Sequence, residues 1–166
     1  MKTIINFFAV ALIALVFAGC EKDDPTHTVR FFLENPSAGR TGVWAKPLTL
    51  EGSGLTYYVK PDPLITEANI TNIQLVKVQS GHMAFLFHLD EFGTRALYRA
   101  SVADNGRMLI LVVNGNAIGA RQLDGSISDG RLYTFTELSD EEMEKLYEEL
   151  VDNTAAVQEL KRHHGY

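Results

Sequence analysis

The chain has 166 residues, 46% hydrophobic and 22% charged, the composition of one globular domain rather than a disordered or fibrous chain. With 21 acidic against 15 basic residues its formal charge is −6, so counterion release offers it nothing and nucleic acid is disfavoured as a partner. Its one cysteine, Cys20, rules out an internal disulfide framework.

Met1-Lys2 supplies a short positive region, and Ile4 to Phe17 is apolar apart from Asn6. That run is shorter than the ~20 residues a helix needs to span a bilayer. It has the organisation of a secretory signal over residues 1–19. Ala18-Gly19 leads into Cys20, and this tail is similar to a bacterial lipobox, with Phe17 standing where Leu, Val or Ile is usual. The resemblance implies cleavage before Cys20 and a lipid on its sulfur, holding the protein to a membrane at ~0.8 kcal/mol per buried CH₂. The plainer alternative is an ordinary signal with a chance cysteine at its end. Residues 20–28 then form a polar tether. Its Glu21-Lys22-Asp23-Asp24 run is similar to the acidic export signal of surface lipoproteins, and fits a solvated linker equally well.

Residues 29–60 read as a β-rich N-terminal subregion. Val29, Phe31 and Leu33 alternate with Arg30, Phe32 and Glu34, as in a strand with one wet face. Val43 to Leu50 reads as a second strand, confined to an edge or split by Pro47. Gly52-Ser53-Gly54 turns the chain into Leu55 to Lys60, and Pro61-Asp62-Pro63 closes the subregion.

From Leu64 the pattern changes. Thr66 can cap a short turn, Ile73 to Gln79 and His82 to Leu89 read as strands, and Asp90 is a helix N-cap. At 100° per residue Phe92, Ala96, Leu97, Ala100 and Ala103 share one face, with Arg95 and Ser101 opposite. Asn105-Gly106 ends that helix. Met108 to Val113 is apolar without a break, so it should be a strand covered on both faces. Asn114-Gly115 fits a type I′ turn, setting Ala117 opposite Val112, Ile118 opposite Leu111 and Gly119 opposite Ile110. A glycine there suggests a bulge or a close backbone approach. Asp129-Gly130 turns into a last strand, Leu132 to Phe135. The final helix has a Ser139/Glu142 capping box, a Leu138/Met143 staple and an apolar stripe through Leu146, Tyr147, Leu150 and Val151. Its extension over residues 153–166 should overhang so small a sheet.

The order from residue 64 to 152 resembles the head subdomain of the first periplasmic domain of the protein-export subunit SecD. Leu64-Ile65-Thr66, Phe85-Leu86-Phe87 with Gly93, and Asn105 to Val112 carry the resemblance. So do Asn114-Gly115 with Ile118 and Ala120, and Thr136 with Glu141-Glu142. Arg121 departs from it, standing where the family has Pro. The resemblance implies an α+β fold: a small, mostly antiparallel sheet with two helices. It implies a contact surface rather than an activity, because this sequence has none of the membrane helices that carry the family's proton path.

No constellation for catalysis stands out, and no cofactor or metal is implied. His82 and His88 would sit ~20 Å apart along one strand, and Asp90, near His88, serves better as a cap. His163 and His164 point ~100° apart on a helix end. Gly52-Ser53-Gly54 is a turn rather than a nucleophile elbow, and the one thiol is the lipidation site. The leading expectation is a non-enzymatic, lipid-anchored protein-interaction module of the bacterial envelope. Its partners would be the membrane through Cys20 and Sec translocon components or an unfolded exported polypeptide. Its contact surface would be the uncovered sheet face and the helix end near Val157 and Leu160. The alternative is a small-ligand or glycan-binding envelope lipoprotein with Trp44, Tyr57 and Tyr58 as an aromatic platform, against which stands plain core packing.

Overall fold

The computed structural model describes residues 25–35, 37, 44–79 and 81–164. The expected signal, and Cys20 with it, lies outside the described residues. The elements run β1 (Val29–Leu33), β2 (Lys46–Thr49), β3 (Thr56–Val59), a 3-10 turn (Glu67–Asn69), β4 (Ile70–Lys77) and β5 (Met83–Leu89). Then come α1 (Glu91–Ala103), β6 (Met108–Val113), β7 (Asn116–Gln122), β8 (Arg131–Thr136) and α2 (Asp140–His164). Six strands form an antiparallel sheet in the order β1-β6-β7-β8-β5-β4, and β2 pairs with β3 in a separate hairpin. The architecture is the expected α+β.

The apolar run in β6 explains the layering. Leu109, Leu111 and Val113 enter the main core with Phe31, Phe85, Phe87, Leu97 and Leu150, under the two helices. Ile110 and Val112 point the other way, into a second core closed by Leu48, Leu50 and Val59 of the hairpin region. The sheet curls enough to bring Phe31 of β1 edge-on to Phe87 of β5, with ring centroids 5.0 Å apart. At the turn after β6, Asn114 (φ 52°) and Gly115 (φ 89°) take the left-handed conformations that a type I′ turn demands. Ala117 faces Val112 as expected, but a bulge after Leu111 sets Gly119 opposite Leu111 instead of Ile110, and Ile118 has no direct partner. The close approach at Gly119 is real, since a Cβ there would collide with the Phe135 carbonyl oxygen.

Further expectations are corrected. β1 has no wet face at Phe32, which is 5% exposed, because the β2–β3 hairpin folds over that side. β1 also belongs to the main sheet, beside β6 from Val29 opposite Val113 to Leu33 opposite Leu109, while its end stays bonded to the hairpin through Glu34 opposite Val59. On α1 the buried face is Gly93, Leu97, Ala100 and Ser101, while Phe92 is exposed. Gly93 sets that rotation: its missing side chain lets the helix sit against Asn69 and Leu89, whose Cβ atoms lie 3.0 and 3.3 Å from a built Cβ. Ser101 tolerates burial because its hydroxyl donates to the Tyr98 carbonyl and accepts from the Ile127 N–H, both at 2.9 Å.

Helix α2 does not overhang. Val157 is buried and Leu160 half-buried. Gln158 Nε2 donates to the Ile70 carbonyl at 2.7 Å, and Lys161 Nζ donates to the Ala68 carbonyl at 2.8 Å and to Asp90 Oδ2 at 3.1 Å. The sheet edge and the 3-10 turn extend the platform beneath the helix, which strand counting from the sequence could not foresee.

Candidate interaction surface

Cross-strand pairing defines the outer face of the sheet. One row runs Phe32, Ile110, Ala120, Phe135 across β1, β6, β7 and β8. The hairpin covers its first members, and the cover runs out at Phe135, which is 48% exposed. A second row runs Tyr133, Leu86, Gln74 across β8, β5 and β4, and Tyr133 is also exposed. The uncovered half of this face therefore carries two aromatic side chains above Leu86 and ends at β4, the last strand of the sheet.

Beside it β7 and β8 separate. They pair only at Gly119–Thr136 and Ala120–Phe135, and beyond that point Arg121 reaches across the gap, its Nη1 donating to the Tyr133 carbonyl at 3.1 Å. An open cleft of about 360 Å³ lies there, lined by Arg121, Ser126, Ile127, Ser128, Asp129, Arg131 and Tyr133. Arg121 is also 3.6 Å from Asp124, so its charge is partly spent within the protein.

The side chains singled out in the sequence mostly hold structure. Asp90 caps α1 by accepting the Gly93 N–H at 2.8 Å, and its remaining bonds go to Asn69 and Lys161. His82 is exposed and His88 half-buried, and no group of three metal-ligating side chains occurs among the described residues. His163 lies 3.5 Å from Glu159 on the exposed helix end, and His164 Nδ1 is 2.9 Å from the Leu160 carbonyl. Gly52 and Ser53 donate their N–H groups to Glu137 Oε2 at 2.9 and 2.8 Å, which pins the hairpin tip to the chain just after β8. The Ser53 hydroxyl first, then the Ser53 N–H and last the Gly52 N–H, hold the Glu137 carboxyl below the ordinary glutamate value. Glu142 is lowered likewise by the Ser139 hydroxyl and then its N–H, in the capping box that starts α2.

Trp44, Tyr57 and Tyr58 do not all share one face. Tyr57 lies opposite Leu48 and packs on the second core, whereas Tyr58, one residue on, lies opposite Pro47 and is exposed, as is Trp44. Tyr133 and Phe135 were missed as surface residues. Their alternation with Leu132 and Thr134 was a legible signal of a two-faced strand, but which aromatic faces solvent depends on how far the hairpin reaches.

No protein-family model matches this sequence, and no curated protein matches it. Among solved structures the chain is similar to SecDF, described as a membrane component that enhances protein export. The TM-score is 0.55 at 16% identity, covering 78% of this chain and 62% of that one. It is also similar to SecDF in a super-membrane-facing form, with TM-score 0.57 and 16% identity over 78% of this chain and 18% of that one. The chain thus spans less than two thirds of either SecDF chain, and the likeness extends beyond the half of it that carried the sequence resemblance. The chain has a SecD-head-like α+β fold.

Proposed function

We propose that this chain is a non-enzymatic, lipid-anchored interaction module of the bacterial cell envelope, tethered through Cys20 and accessory to protein export. The observation that carries the reading is a SecD-head-like fold whose uncovered sheet face presents Tyr133 and Phe135. Sec translocon components or an exported polypeptide would meet that face. The experiment is site-specific photocrosslinking in the cells that make the protein, with the crosslinker at Tyr133 or Phe135 and, as control, at exposed Glu148 on α2. Adducts with a Sec component or an exported chain from the first two positions only support the reading. Equal labelling at all three, or turnover of a glycan, ester or peptide substrate by the purified protein, overturns it. Lipidation is tested separately: Cys20→Ser should leave unprocessed precursor, and normal processing of that variant refutes the anchor.

A further inference from the structure

Helix α1 turns a second surface to solvent. At 100° per residue, Phe92, Arg95, Tyr98, Arg99 and Val102 fall within an arc of about 120°, opposite the buried Gly93, Leu97 and Ala100. The three hydrophobic side chains are 71%, 47% and 56% exposed. Arg95 stacks over the Phe92 ring, 5.0 Å from its centroid, and is 3.4 Å from Glu91. Arg99 has no ion-pair partner among the described residues. The chain as a whole is acidic, and α2 begins with Asp140, Glu141 and Glu142. On the outer arc of α1 the only acid is Glu91, at its start.

We propose that this face of α1 rests on an anionic bilayer surface, with Phe92, Tyr98 and Val102 entering the headgroup layer and Arg95 and Arg99 meeting lipid phosphates. The chemistry fits that occupant. Aromatic side chains favour the membrane interface, guanidinium groups match phosphate geometry, and a helix with apolar and cationic side chains outward is the form that lies on anionic lipid. The tether fits too. Eight residues lie between Cys20 and Val29, an extended reach of about 30 Å over the nine steps, so an anchored domain stays within its own dimensions of the lipid. The inference rests on the proposed membrane attachment but uses a different face from the one assigned to protein partners.

The test uses the full chain in a Cys20→Ser background, with a single new cysteine at Ala103→Cys, exposed at the end of α1, or at Glu148→Cys on α2. Each carries an environment-sensitive fluorophore. Neither labelled protein carries the native cysteine, so the readout does not depend on whether Cys20 is acylated in cells. On vesicles of phosphatidylcholine with phosphatidylglycerol, the label at 103 should shift to the blue and be quenched by a bilayer-embedded quencher, while the label at 148 stays aqueous. The shift should vanish on phosphatidylcholine alone or in high salt. Arg95→Ala with Arg99→Ala should lower the docked-to-undocked ratio about thirty-fold, at ~1 kcal/mol per arginine near the surface. Both residues are exposed, so the fold is checked by an unchanged melting temperature. A label at 103 as aqueous as that at 148 on anionic vesicles overturns the proposal and leaves the face to an acidic protein partner. Docking that ignores lipid charge and both arginines overturns it as well.

Discussion

Thr134 is fully buried on the inner face of β8, opposite Phe85, and its hydroxyl has no hydrogen-bond partner among the described residues. A buried polar group left unpaired costs about 1–3 kcal/mol. Thr134→Val keeps the shape and removes the hydroxyl, so it should raise the urea midpoint by an amount worth about 1 kcal/mol with the denaturant slope unchanged. Ser101 makes the contrast: it is equally buried but uses both its donor and its acceptor. Gly119 is constrained by space rather than by φ. Gly119→Ala would drive a methyl group onto the Phe135 carbonyl and the Thr136 side chain, forcing β7 and β8 apart. Gly125, with nothing within 4 Å of a built Cβ, should accept Ala at no cost. Thermal melts of the two variants should therefore diverge, with Gly119→Ala melting several degrees lower.

At the scale of elements, α1 is held at its start by one carboxylate. Asp90→Ala removes the N-cap bond to Gly93 and the contact with Lys161 at the far end of α2. The expected loss is about 1–2 kcal/mol, and backbone exchange should rise at the start of α1 and the end of α2 together. The hairpin tip is held by Glu137, whose carboxyl is lowered below the ordinary glutamate value. A lowered folded value means that the stabilisation is complete above the ordinary glutamate range and is lost as pH falls through the lowered value. The protection factors of the Gly52 and Ser53 amides, taken against the intrinsic rate at each pH, should then fall in acid, and Glu137→Gln should flatten that dependence. Asp90, the Ser139/Glu142 box and the Asn114-Gly115 turn were all legible in the sequence, because each is decided within four residues. The orientation of α1, the burial of Phe32 and the seating of Val157 were not, because each depends on an element distant in sequence. The candidate surface on β8 was illegible for the same reason: only the reach of the β2–β3 hairpin decides which aromatic stays bare.

Taken whole, the molecule has two cores that share one strand. Ile110 belongs to the smaller core and its neighbours Leu109 and Leu111 to the larger, so neither core closes without β6. Ile110→Asp would bury an unpaired charge at the junction, costing several kcal/mol against a total of about 5–15. It should abolish the single cooperative unfolding transition, and a near-native melt for that variant would show that β6 is not shared in this way. The same connectivity bears on how the chain enters the domain. The amide of Asn153 on α2 grips the His27 backbone from both sides, accepting its N–H at 2.8 Å and donating to its carbonyl at 2.9 Å. Asn114 does the same for Thr28, accepting its N–H on the side chain and donating its own N–H to the Thr28 carbonyl, both at 3.0 Å. A pull on the N-terminus thus meets two asparagine clasps in series, one through the side-chain amide alone and one shared with the main chain, before it reaches the ladder between β1 and β6. Under load these bonds should give way first, a strain relief that lets residues 27 and 28 yield before either core opens.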